Sequence, residues 1–183
     1  MPSFALSGTF GRRFPGGADN LSQNAFKLTA GVALSRLGHR GGALWLDASA
    51  GSVGIVGKRW IHPEASGNAN AVLSGADLAL LLAWPVWFGR VYIGPQGTVD
   101  MVSLDAVISN NNKAQQETHF GAAAGLHLGY QLFGWQHFFA RVDLSGLAAI
   151  VRQRVVTQSG ENEVLFAAPA AYLSIAGGVG VSF

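Results

Sequence analysis

The sequence predicts an all-β fold, a closed antiparallel up-and-down transmembrane β-barrel of about eight strands, with its oily face turned outward. Three observations carry this expectation. Apolar residues alternate with small or polar ones in one stretch after another, and a period of two belongs to strands. Hydrophobic residues make up 49% of the 183-residue chain and charged ones only 12%, about half the charged share of roughly 25% in soluble domains. No apolar run approaches the length of about 20 residues that a membrane helix requires, so the apolar content is spread over many short amphipathic strands. Finally, short turns alternate with longer polar connections along the chain.

Composition also excludes some functions. The chain has no cysteine, so it has no disulfide framework, thiolate metal site or thiol nucleophile. A formal charge of +2 is too small to indicate nucleic acid. Met1-Pro2-Ser3 enters the first strand with no charged and apolar leader. The expectation is a single barrel domain over 1–183, as a mature form or an excised domain.

The first strand runs from Ser3 to Arg13, with Phe4, Leu6, Gly8 and Phe10 on one face and Ala5, Ser7, Thr9 and Gly11 on the other. Turn-forming residues from Pro15 to Asn20 end it. Strand two, near Asn24 to Arg36, sets Phe26, Leu28, Ala30, Val32 and Leu34 against Lys27, Thr29, Gly31, Ala33 and Ser35. A short turn at 38–42 leads to strand three, near Ala43 to Val56, where Leu44, Leu46, Ala48 and Ala50 oppose Trp45, Asp47, Ser49 and Gly51. The phase slips at Ser52-Val53, which predicts a bulge.

Lys58 to Asn70 is polar and reads as a long loop. Strand four, about Ala71 to Trp84, opposes Val72, Ala76, Leu78, Leu80 and Leu82 to Gly75, Asp77, Ala79, Leu81 and Ala83. Its composition also favours a helix, but period-two neighbours and an enclosed Asp77 favour the strand. A tight turn at 85–88 precedes strand five, Gly89 to Ile108, in which Pro95 predicts a bulge or irregularity. Ser109 to Glu117 reads as another polar loop. Strand six has the cleanest internal alternation, with Phe120, Ala122, Ala124, Leu126, Leu128 and Tyr130 opposing His119, Gly121, Ala123, Gly125, His127 and Gly129. After a turn at 133–136, strand seven carries Phe138, Ala140, Val142 and Leu144 against Phe139, Arg141, Asp143 and Ser145. A polar loop near 156–163 leads to strand eight, Val164 to Phe183.

Aromatics sort by height. Phe4, Trp84, Trp87, Phe88, Phe133, Trp135, Phe138 and Phe183 fall at the short-turn rim; Phe10, Phe26, Phe120 and Phe166 lie near the opposite one. Two such girdles mark the water boundaries of a membrane barrel. A soluble barrel would reverse the polarity, and its apolar outer belt would far exceed the few hundred Å2 that soluble monomers expose.

The chain closes on Tyr-Leu-Ser-Ile-Ala-Gly-Gly-Val-Gly-Val-Ser-Phe, in which Val179, Val181 and Phe183 share one face. This ending resembles the terminal strand of bacterial outer-membrane barrels, where a final Phe with alternating apolar residues serves as the assembly signal. The whole chain resembles small eight-stranded barrels of the OmpA, OmpX and OmpW type. That resemblance implies a Gram-negative cell envelope setting, both termini in the periplasm, outer-membrane lipid and lipopolysaccharide as surroundings, and the barrel-assembly machinery as the partner of the C-terminal strand.

An eight-stranded bore has room for side chains only. Lys27, Asp47, Asp77, Arg90, Asp100, His127, Arg141 and Asp143 fall on the enclosed face, where charges must be paired or hydrated. They predict a polar plug. Ser145, His127 and Asp143 offer a conceivable catalytic set, but without room for a substrate, and Glu117 and His119 near the outer rim add nothing specific. No His-x-Ser-Asn run of the lipid A deacylase kind occurs, so no catalysis is expected, and the five scattered histidines predict no metal and no cofactor. Arg12, Arg13, Lys58, Arg59, Lys113, Arg152 and Arg154 gather at the outer ends of strands, where they are either ordinary solvated charges or contacts to lipopolysaccharide phosphates. The functional expectation is a structural anchor or surface-interaction barrel with a plugged lumen; the alternative is a narrow pore for small solutes.

Overall fold

A computed structural model of the chain describes residues 3–16, 23–38, 41–61, 66–108, 113–134, 137–152, 154–156 and 164–183. Among them lie ten strands: β1 (Phe4–Pro15), β2 (Gln23–Leu37), β3 (Gly42–Ile61), β4 (Ser66–Val86), β5 (Gly89–Ile108), β6 (Lys113–Phe133), β7 (Phe138–Val151), β8 (Arg154–Val156), β9 (Val164–Ala167) and β10 (Ala171–Ser182). Eight close into an antiparallel ring in the order β1-β10-β7-β6-β5-β4-β3-β2, while β8 and β9 pair separately. The stretch open to a helical reading is a strand over its full length. Ring closure leaves no sheet edge, which satisfies the backbone within the wall.

The two chain ends meet at the rim of the short turns. Ser3 N and Phe183 O are 2.8 Å apart, and Phe183 N donates to Phe4 O at 2.9 Å. Phe4 and Phe183 stack with centroids 6.3 Å apart. At the same rim, Val86 pairs with Gly89 across a two-residue hairpin loop, and Trp87 takes φ +50°, the sign that such loops demand of their first residue.

Alternation sets burial as expected. Leu126, Leu128 and Val179 face out, Val179 being 70% exposed, while Asp77, Arg141 and Asp143 are buried. Phe10, Phe26 and Phe120 are exposed toward the far rim and Phe4, Trp84, Trp87, Phe88, Phe138 and Phe183 at the near one. Phe133 differs: it is half-buried against an interior cluster that includes Trp45, Leu81, Tyr92 and Phe139. Trp135 lies outside the described residues, as does the side chain of Phe166.

Three expectations about the strands and their connections need correction. The polar stretch 58–70 is largely strand, with Lys58 opposite Ala69 and Ile61 opposite Ser66. The stretch 109–117 is partly strand, since Lys113 pairs with Ile108. Above a membrane both faces of a hairpin are wet, so polar residues keep the ladder without showing an apolar period. The eighth strand is broken: β9 stops at Ala167, β10 starts at Ala171, and Pro169 between them has no N–H to donate. Pro95 marks an irregularity, as expected, and of the two forms it is a gap in the ladder, because Ala79↔Gln96 and Leu82↔Ile93 keep one register. The bulge near Ser52-Val53 is present as a register shift between Ser52 and Gly54.

Candidate functional site: the ion-paired lumen and the outer-rim cations

Inward residues from the strands meet in the bore as successive polar layers. Nearest the short turns, Arg90 from β5 lies over the Trp45 ring at 4.9 Å and the Phe133 ring at 5.4 Å, so cation–π attraction stabilises its charge away from water.

The next layer centres on Arg141 and Asp143 of β7, which share a face because they are two residues apart. Arg141 Nε donates to Asp143 Oδ2 at 2.8 Å and a terminal nitrogen donates to Oδ1 at 3.0 Å. This is a bidentate pairing of the strong, orienting kind. The guanidinium also reaches Asp47 of β3 and Ser7 of β1, each at 3.2 Å. Tyr92 OH donates to Asp143 Oδ1 at 2.6 Å, and Trp45 Nε1 to Asp47 Oδ1 at 2.5 Å. One arginine therefore ties β7 to β1 and β3, while its carboxylate partner ties in β5.

His127 stands beside this layer, as its position in strand six led one to expect. Its Nε2 is 3.2 Å from Asp143 Oδ1, and its Nδ1 is 3.1 Å from Ser145 Oγ and 3.0 Å from Gln96 Oε1. The serine, histidine and aspartate thus come together. With the imidazole proton on Nε2, Asp143 accepts it and Nδ1 is left to accept. Gln96 Oε1, 2.9 Å from Ser145 Oγ, competes as acceptor for the serine proton. The adjoining cavity, lined by Lys27, Asp47, Asp77, Gln96, His127 and Arg141 among others, measures about 50 Å3. That volume is on the scale of a few water molecules, and the trio is tied by these contacts into the network around Asp143.

Further toward the loops, Asp77 of β4 receives Lys27 of β2, Thr98 of β5 and Ser49 of β3, the last at 3.0 Å. Above it Arg13 of β1 donates to Asp100 of β5 at 2.9 Å and lies over the Tyr172 ring at 3.9 Å. Arg13 thus differs from the outward role assigned to it beside Arg12: it is 4% exposed and inside the barrel. The signal was present, since Arg13 continues the inward set Ala5, Ser7, Thr9, whereas its height alone invited the outer assignment.

The eight residues expected inside are all drawn toward the bore: Lys27 and Asp100 are part-buried, the others buried. Gln96, Tyr92, Trp45 and Tyr172 lie outside that expected set, although Tyr92, Trp45 and Tyr172 each meet a charged side chain and Gln96 meets His127 and Ser145. Their parity was readable, but not which partner they meet, because that follows from register. Arg12 and Arg152 are exposed. The side chains of Lys58, Arg59, Lys113 and Arg154 lie outside the described residues. Glu117 and His119 pair with each other at 2.8 Å, and among the described residues no cluster suited to a metal ion occurs.

An apolar exterior wrapped around an ion-paired interior in a closed eight-stranded ring defines a class: the fold is that of the small outer-membrane β-barrels. No family profile and no curated protein matches the sequence. Solved structures do. A major outer membrane protein from Thermus thermophilus superposes with a TM-score of 0.61 at 14% identity, over 99% of this chain and 100% of that one. Ail, the attachment invasion locus protein of Yersinia pestis, gives 0.56 at 10% identity, over 99% and 97%. At such identities the likeness is one of fold.

Proposed function

We propose that this protein is an integral outer-membrane barrel with a closed lumen, serving as an envelope anchor that offers its outer strand extensions as a contact surface. The observation that carries the reading is the stack of crosslinks through the bore, in which Arg13–Asp100, Lys27–Asp77 and Arg141–Asp143–Asp47 each bridge different strands. Both termini lie in the periplasm in this reading, at the short-turn rim, and Val179, Val181 and Phe183 present the C-terminal strand to the assembly machinery. Arg12, Lys58, Arg59, Arg152 and Arg154 supply the outer cations for lipopolysaccharide phosphates. Ail, similar in fold, was solved with the heparin analogue sucrose octasulfate, a polyanion, which supports a polyanionic sugar or lipid as the contact.

A narrow pore is the second reading, favoured by the polar cavity beside His127. Planar-bilayer recordings separate the two. The closed reading expects no stepwise current from the folded protein, with current emerging when Arg141 and Asp143 are both replaced by alanine. Stepwise current through the unaltered chain would sink it.

A further inference from the structure

Arg12 stands out on the lipid-facing side. It follows the outward parity of Phe4, Leu6 and Phe10, it is exposed, and its cross-strand neighbours are Asn24 on β2 and Ile175 on β10. Among the described residues it forms no ion pair. Eight residues along β1 from Phe4, it sits about 20 Å up an apolar belt roughly 25 Å tall, given ~3.3 Å per residue and a strand tilt near 40°. A charge at that height must reach upward to the boundary or meet an anion there.

Beside it the wall is hollow. Phe14 pairs with Leu173, Leu173 with Gly146 and Gly146 with Leu126, so one cross-strand row runs large, large, empty, large. A Cβ at Gly146 would meet nothing within 4 Å. Ala124 and Ala148 continue the low floor above it, and the result is a shallow, open groove of about 660 Å3. Its lining is almost wholly apolar, and the exposed cation lies one strand beyond the Leu173 wall.

We propose that this groove on β6, β7 and β10 seats an acyl chain of a phosphorylated, multiply acylated outer-leaflet lipid, whose phosphate is held by Arg12. The site rests on the surface reading above and deepens it, by placing one specific lipid against the wall and giving it an apolar as well as an anionic contact. A zwitterionic two-chain phospholipid fits less well, because its own cation competes with Arg12 for the phosphate.

The test is lipid A retention by the detergent-folded protein, read by native mass spectrometry in competition with equimolar phosphatidylethanolamine. Heat-modifiable gel mobility confirms folding of each variant. Arg12→Gln is expected to lower lipid A retention about tenfold, the loss of one charge-assisted hydrogen bond, with Arg12→Lys recovering part of it. Gly146→Leu fills the groove, adds strand propensity and should lower retention without weakening the fold. Equal retention of the two lipids by the unaltered protein overturns the site, as does wild-type retention in Arg12→Gln and Gly146→Leu. If retention falls only when Lys58, Arg59 and Arg154 are all changed to Gln, the groove fails and the surface reading stands. If no variant loses lipid A, both fall.

Discussion

Four donors converge on Asp143: two nitrogens of Arg141, the Tyr92 hydroxyl and His127 Nε2. Removing it leaves a buried guanidinium with Asp47 as its remaining carboxylate. Asp143→Leu is therefore expected to cost about 3–5 kcal/mol, whereas Arg141→Met and Asp143→Leu combined with Asp47→Asn should recover much of that, since none of the three charges then stays buried. Urea titration of vesicle-folded protein measures both. Glycine makes a second residue-scale case. Tyr92 lies flat over Gly129 on the neighbouring strand, where an added Cβ would collide with the ring. Gly129→Ala should destabilise by about 1–3 kcal/mol through overpacking, while Gly146→Ala, facing open space, should be neutral or stabilising. Equal effects at the two sites would show that the ring does not depend on that glycine.

At the scale of the strand, what the sequence reveals depends on the surroundings of each segment. Where lipid lies on one side and the bore on the other, the two environments impose opposite demands on successive residues. The alternation of Phe120 to Leu132 is accordingly plain, and so is the inward parity of Lys27, Asp77, Arg90 and Arg141. Above the membrane that contrast vanishes. Within the stretch Lys58 to Asn70, residues 58–61 and 66–70 pair as strands without a strand's pattern, because water on both faces leaves no reason for an apolar period. Arg13 and Gln96 show the other limit: parity gives the side of the wall, but the partner across the bore follows from how eight strands are staggered. Since 57–61 and 66–70 pair with each other and with the upper end of β5, above the lipid-facing part of the ring, replacing 57–70 by a short hairpin turn should leave heat-modifiable mobility and the unfolding midpoint nearly unchanged. A chain that no longer closes would mean that the extension helps to set register.

Over the whole molecule, closure joins the first strand of the chain to the last and fastens them at the rim. Ser182 N donates to His137 O, and Ser182 O lies 2.9 Å from His137 Nδ1; His137 also stacks on Phe183 at 6.4 Å. These contacts add a structural role to the terminal residue beyond the signalling one proposed for it. Deleting Phe183 is expected to slow outer-membrane insertion in cells strongly and spontaneous refolding in detergent only slightly. Pulse-chase assembly and gel mobility measure the two. Equal slowing in both would assign the residue to seam stability alone.

The wall is not level. The four consecutive strands β3 to β6 run 20 or 21 residues, while β1, β2, β7 and β10 run 12 to 15. The difference is on the order of 20 Å of strand. The ladder of the ring thus stands taller along one half of the circumference, while on the other half the chain between β7 and β10 forms the separate β8–β9 pair instead of extending the ring. Two such molecules side by side would be distinguishable by which flank each turns to the other.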